Sequence, residues 1–220
     1  MQVSFNNNKQ NFGWKPSTHA MITEYAVDSF PKLKKYKSRL SAASQLPDVA
    51  IYDFNLINPL AHFYFGRQIR HNGFPKDAFS YYIKFFNEYM QNLLNNKEGD
   101  AMTKAGEALH FIQDIANPLH TNEAYQGLLS PFRHAKYEKL ADKKAKNIRQ
   151  IVSQDTEIIP KYYKDNFLDT YRASSTMEHP FSKTTRENWD KSIDDSFTLA
   201  YNATRSFLDD VNALLDTTLY

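Results

Sequence analysis

Residues 107–120 read Glu107-Ala-Leu-His110-Phe-Ile-Gln-Asp114-Ile-Ala-Asn-Pro118-Leu-His120. In a helix, His110 and Asp114 stand one turn apart on one face, so an imidazole and a carboxylate project together. The helix predicted over Ala101 to Ala116 stops at Asn117-Pro118, because proline cannot extend the hydrogen-bond ladder. The departing chain can then turn His120 back toward the same spot. His134 and Glu138 repeat the four-residue spacing on the next predicted helix. The string is HxxxD, five residues, His, thirteen residues, HxxxE. Imidazole and carboxylate are ligands that zinc accepts when thiolates are absent, so a metal centre is one reading. Exposed ion pairs on amphipathic helices are a second, and such pairs contribute little. A di-iron bundle is a third, since Glu107-x-x-His110 is one ExxH motif, but that fold needs two such motifs and two further Glu.

Composition narrows the choice. The 220 residues hold 7 His and no Cys, which removes cysteine nucleophiles, iron–sulfur clusters and thiolate zinc fingers. Lys and Arg number 27 against 25 Asp and Glu, and a net +2 gives no large field for holding nucleic acid or an anionic membrane by charge alone. Only 6 Gly accompany 16 Phe and 14 Tyr, a balance that favours helices around a thick aromatic interior over a turn-rich β architecture. No stretch approaches the roughly 20 apolar residues of a membrane span.

Outward from the central motif, the pattern is helical in both directions. Met1 to Gly13 is a polar, Asn-rich arm without the apolar run of a secretory leader. Pro16-Ser17-Thr18 opens a first helix with Met21, Ile22, Tyr25 and Ala26 inward and His19 in its first turn, ending before Pro31. A shorter helix is predicted over Lys32 to Ser44, then an irregular stretch from Pro47 to Pro59 carrying Asp48 and Asp53. Lys76 to Asn95 repeats Phe79, Ile83, Phe86, Met90 and Leu94 at helical spacing, with Pro75 at its start and Gly99-Asp100 separating it from the central helix. Ser130-Pro131 opens a helix running past Ile151. A short helix follows over Tyr162 to Tyr171, and a long one closes the chain from about Thr185 to Leu215. There is no internal repeat and no strand pattern, so the expectation is one all-α domain.

The segment from Glu107 to His120, with His134 and Glu138 after it and Thr18-His19-Ala20-Met21-Ile22 before it, resembles the bacterial zinc-dependent phospholipase C family. The resemblance covers most of the chain from Trp14 onward. It implies a single compact multi-helix catalytic domain over residues 14–220, with residues 1–13 as an arm or propeptide remnant. It also implies three zinc ions. One is held by Asp48, His62, His110 and Asp114, with Asp53 the rival for the loop carboxylate. The second is held by His120, His134 and Glu138. The third is held by His19, a bridging Asp114, and the main-chain amine and carbonyl of Trp14. In the family that tryptophan is the mature amino terminus, because a free α-amino group with a pKa near 8 binds metal far more readily than an amide. Removal of Met1 to Gly13 is therefore expected.

The implied reaction is hydrolysis of a phospholipid to diacylglycerol and a phosphorylated head group, by zinc acting on the phosphodiester and on water. Asp48 is the candidate acceptor of the water's proton. Tyr52, Phe63 and Tyr64 are the candidate substrate-binding aromatics, although core filling is their more usual use. Val49 after Asp48 stands where choline-preferring relatives carry Tyr, which puts choline preference in doubt. Apolar side chains around Phe63 to Phe65 either dip into a bilayer or are buried. His71 and His179 are expected at the surface. The resemblance further implies a secreted monomer acting on phospholipid, with a cytoplasmic protein as the alternative. Two rivals remain: a three-zinc single-strand nuclease, whose last ligand is typically Asp where this chain has Glu138, and a non-catalytic module stabilised by zinc. Nucleic acid is not the favoured partner.

Overall fold

The structure is a computed structural model that describes residues 14–49, 59–64, 66, 70–71, 74–75, 77–121, 131–154, 166–177 and 186–217. Nine α-helices lie among them: α1 Pro16–Val27, α2 Lys37–Ala43, α3 Leu46–Val49, α4 Ala78–Leu94, α5 Glu98–Ile115, α6 Pro131–Lys144, α7 Ile148–Gln154, α8 Asn166–Thr176 and α9 Arg186–Thr217. The all-α expectation holds. A two-residue antiparallel ribbon, β1 Arg70–His71 on β2 Phe74–Pro75, is the one strand pair among the described residues. It is too short for an alternating pattern to announce it.

Helix α5 is the centre of the domain, packed by α4, α2, α9, α8 and α1. Every residue from Ala105 to Ile115 is buried, so this stretch of the helix has no solvent face. Most of that surface is apolar, through Ala105, Ala108, Leu109, Phe111, Ile112 and Ile115. The informative residues are the polar ones interrupting it, Glu107, His110, Gln113 and Asp114, each at most 1% exposed. Burying such groups is costly unless each meets a partner or an ion. Gly106 brings α2 against α5, since a Cβ there would stand 2.5 Å from Ala43 Cβ and 2.7 Å from the Leu40 carbonyl. That close approach sets the end of α2 above His110.

Several boundaries differ from the sequence expectation for identifiable reasons. Helix α4 begins after Asp77, whose Oδ1 accepts from the Ser80 amide at 2.8 Å, and Pro75 belongs to β2. Its inward face is Ala78, Tyr81, Tyr82, Phe85, Tyr89 and Leu93, while Ile83 and Leu94 are exposed. Helix α4 turns Lys84, Asn87 and Gln91 to solvent, and the tyrosines, which read as half-polar, win the interior. Gly99-Asp100 falls inside the first turn of α5, and the break is Asn95 to Lys97, where Asn96 takes a left-handed φ of 57°. The helix expected over Lys32 to Ser44 divides into a 3-10 segment, Pro31–Tyr36, and α2. The helix from Pro131 is likewise divided by a 3-10 turn, Ala145–Asn147, before α7. The short helix expected from Tyr162 is α8, displaced to Asn166–Thr176, and residues 162–165 lie outside the described residues.

Candidate metal centre

Four separate segments converge on Asp114 in α5. Asp114 Oδ1 faces His19 Nε2 of α1 at 3.5 Å, while Oδ2 faces His110 Nε2 at 3.0 Å and His62 Nδ1 at 2.6 Å. Asp48, in the one-turn helix α3, completes the group at 3.8 Å from His19 Nε2, 3.7 Å from His110 Nε2 and 4.0 Å from His62 Nε2. The two oxygens of one carboxylate thus face two different sets of imidazole and carboxylate atoms, the geometry of a bridging ligand.

The hydrogen bonds behind the imidazoles decide which nitrogen is available. Gln113 donates its amide to Thr23 Oγ1 at 3.0 Å and Thr204 Oγ1 at 3.1 Å, which turns its Oε1 to accept from His19 Nδ1–H at 2.8 Å. The His19 lone pair is therefore on Nε2. The Ser44 carbonyl accepts from His110 Nδ1–H at 3.0 Å and does the same for that ring. His19 Nε2, Asp48 Oδ2 and Asp114 Oδ1 are buried without a hydrogen-bond partner. Acceptors that face one another in the interior with no donor between them are a cation's surroundings, and the donor set suits zinc.

A second group forms across the turn that leaves α5. Asn117 Oδ1 accepts from the Leu119 amide at 3.1 Å and its carbonyl from the His120 amide at 2.9 Å, which swings His120 back under α6. His134 Nε2 lies 2.6 Å and His120 Nε2 3.4 Å from Glu138 Oε1. His120, His134 and Glu138 are all buried, and their ligand atoms lie within 4.8 Å of one another. Both ring nitrogens of His120 lack hydrogen-bond partners. The Phe63 ring covers this group, 4.7 Å from His120 and 6.0 Å from His134.

The protonation states split along the same lines. Burial holds His19 and His134 down to about 4, so both imidazoles are neutral at pH 7. Burial also opposes a charge on His110, but the neighbouring Asp114 and Asp48 outweigh it and raise it to about 9. Without metal, a proton takes the cation's place between His110 and Asp114. The electrostatic reach of Asp114 extends to His120 and His134, which ties the two groups into one site.

All the candidate ligand side chains foreseen in the sequence thus lie in two adjoining groups. Trp14 is buried, with its ring 6.0 Å from His19 and 5.2 Å from Phe197. Phe63 and Tyr64 are interior residues, 2% and 8% exposed, so neither reaches out toward a bilayer. The Tyr64 ring packs against Phe79, Phe167 and Tyr171. Tyr52, Asp53, Phe65, His179 and the arm 1–13 lie outside the described residues. Gln113, Ser44, Thr204 and Asp142 were not legible beforehand. Asp142 Oδ1 accepts from the Lys15 amide and Thr18 Oγ1, both at 3.1 Å, and so pins the first turn of α1 to α6.

No curated protein matches the chain in sequence at a significant level. Among solved structures, the fold is similar to alpha-toxin of Clostridium perfringens, avian strain SWCP, at 17% identity and TM-score 0.65, covering 91% of this chain and 66% of that one. It is also similar to alpha toxin of Clostridium absonum, at 16% identity and TM-score 0.67, covering 94% of this chain and 66% of that one. The chain therefore spans just under two thirds of the length of either toxin. A sequence profile described as zinc dependent phospholipase C matches residues 18–206, a span that contains both ligand groups and all but Trp14 of the candidate site. The chain belongs to the zinc-dependent phospholipase C family.

Proposed function

We propose that the protein is a phospholipase C, hydrolysing the glycerol-side phosphate ester of a phospholipid to diacylglycerol and a phosphorylated head group. The observation that carries this reading is the bridging placement of Asp114 between His19 on one side and His62 and His110 on the other, beside the open triad His120, His134 and Glu138. Our reading places three zinc ions here. Asp48, His62, His110 and Asp114 would hold one, and His19, Asp114 and the Trp14 main chain another. His120, His134 and Glu138 would hold the last with three side chains, one fewer than the closed four-ligand set of a structural site. When bound, zinc withdraws charge from the phosphodiester oxygens and lowers the pKa of water.

The chain's own groups supply the rest. Gln113 and Ser44 fix the tautomers of His19 and His110, so the site is organised before substrate arrives. Asp48 Oδ2, buried and unpartnered, is the proposed acceptor of the attacking water's proton. The new bond joins the water oxygen to phosphorus, the phosphorus–glycerol oxygen bond breaks, and the glycerol oxygen leaves as the alcohol after taking a proton. Phe63 and Trp14 shield the imidazoles from bulk water.

The same proposal assigns residues 14–220 to the catalytic unit and 1–13 to a separable arm, and reads the protein as an exported monomer. No helix among the described residues is long and apolar enough to cross a membrane. The test is hydrolysis of phosphatidylcholine, sphingomyelin and single-stranded DNA before and after chelation. Lipid turnover that disappears with the metal and returns with zinc supports the reading, whereas turnover of DNA alone, or of neither, overturns it. In Asp48→Asn, turnover is expected to fall further than zinc content, and equal losses would remove the proton-accepting role.

A further inference from the structure

Beside the candidate ligands, a half-open cleft is bounded by Pro47, His62, Tyr81, Lys84, Phe85 and Phe111. It shares its inner wall with the site, because Pro47 precedes Asp48 and His62 faces Asp114. The His62 ring stacks on Phe111 at 6.2 Å, and Phe111 lies nearly parallel to Tyr81 at 5.5 Å and to Phe85 at 5.9 Å. Aromatic faces therefore run outward from His62, an arrangement that by itself would attract a cation.

Two lysines already use the outermost ring. Lys84 Nζ lies 5.3 Å and Lys104 Nζ 5.2 Å from the Phe85 centroid. Lys104 is neutralised by Glu88 at 2.9 Å and Glu107 at 3.0 Å. Lys84 has no carboxylate within ion-pair distance among the described residues, and it leaves the pocket with a net positive charge. An ammonium in its wall disfavours acyl chains, which would bury that charge against hydrocarbon.

Resting on the phospholipase reading above, we infer that this pocket takes the head group of the lipid and selects one bearing a second anionic group, a carboxylate or a further phosphate, over a quaternary ammonium. Lys84 is the specificity-determining residue, and the phosphodiester itself lies inward of it beside His62 and Asp48. The outer anion replaces water around the Lys84 ammonium, whereas a choline group meets like charge there.

The test uses dihexanoyl phospholipids below their micellar concentration, so that no lipid surface charge intervenes, with choline, serine, phosphoinositol and glycerol head groups. In the unaltered protein, kcat/KM on the serine or the phosphoinositol lipid exceeds that on choline by about tenfold, the size of one charge contact in a half-exposed site. The serine and phosphoinositol arms tell which anion fits. Lys84→Arg keeps the ratio, Lys84→Gln brings it near unity, and Lys84→Glu reverses it. A preference for choline in the unaltered protein, or a ratio unmoved in Lys84→Glu, overturns the pocket assignment and leaves the phospholipase reading standing. A zinc-loaded protein inert on all four lipids overturns both.

Discussion

Replacing Gln113 with leucine isolates the claim that the imidazoles are held ready for metal. Gln113, His19, Thr23 and Thr204 are fully buried, and Gln113 supplies an acceptor to His19 Nδ1–H and donors to both hydroxyls. Leucine occupies a similar volume, so the change removes polarity and leaves no large cavity. A buried group stripped of its partner costs about 1–3 kcal/mol. Both hydroxyls can rotate toward other acceptors, which leaves the His19 N–H as the principal loss and puts the fold at about 1–3 kcal/mol less stable. Loss of a partner that orients a ligating imidazole lowers metal affinity about 10–100-fold. That loss is confined to the ions touching His19 and Asp114, because the triad His120, His134 and Glu138 shares no partner with Gln113. Gln113→Glu is the control: its carboxylate accepts from His19 Nδ1–H and from both threonine hydroxyls, and zinc binding is retained. Competition against a chromophoric chelator reads the affinities, and urea denaturation reads the fold. A Gln113→Leu protein with unchanged affinity at every site would refute the reasoning.

Gly106→Ala places a Cβ 2.5 Å from Ala43 Cβ and 2.7 Å from the Leu40 carbonyl, and overpacking of this kind costs about 1–3 kcal/mol. A lowered thermal midpoint is expected, together with weaker zinc binding as Ser44 moves off His110, and an unchanged midpoint would contradict the close packing of α2 on α5. The metal-free chain has a two-sided pH dependence. Between about 4 and 6.5 the unfolded state binds the protons that buried His19 and His134 refuse, so stability rises with pH. From 6.5 to about 9 folded His110 keeps a proton that the unfolded state has lost, so stability falls with pH. Urea midpoints of chelated protein should therefore peak near pH 6.5, and the alkaline limb should vanish once zinc replaces the His110 proton. Phe63→Ala uncovers His120 and His134, and it is expected to cost about 3–5 kcal/mol while weakening the second group's zinc before the first. Equal loss at both groups would place Phe63 in the general core.

The site was legible where chemistry and spacing coincide. HxxxD and HxxxE put unlike ligands on one helical face, and Asn117-Pro118 announced the turn that returns His120. What sequence did not announce are partners fixed only by tertiary packing. Ser44 meets His110 across 66 positions, Gln113 meets His19 across 94 and Thr204 across 91, and Asp142 meets Lys15 across 127. No local pattern marks a glutamine or a serine carbonyl as the holder of an imidazole. The all-α architecture followed from periodicity and low glycine, but the buried face of α4 did not. Tyr81, Tyr82 and Tyr89 outcompete Ile83 and Leu94 because tyrosine buries a large ring, an advantage that hydropathy counts undervalue. Tyr64 likewise packs its ring among Phe79, Phe167 and Tyr171.

The most direct measurement is anomalous diffraction at the zinc edge from crystals of the zinc-loaded protein. Two peaks are expected on either side of Asp114, roughly 3.5–4 Å apart as a shared carboxylate requires, with a third among His120, His134 and Glu138. A single peak in the whole site, or none touching Asp114, would contradict the account.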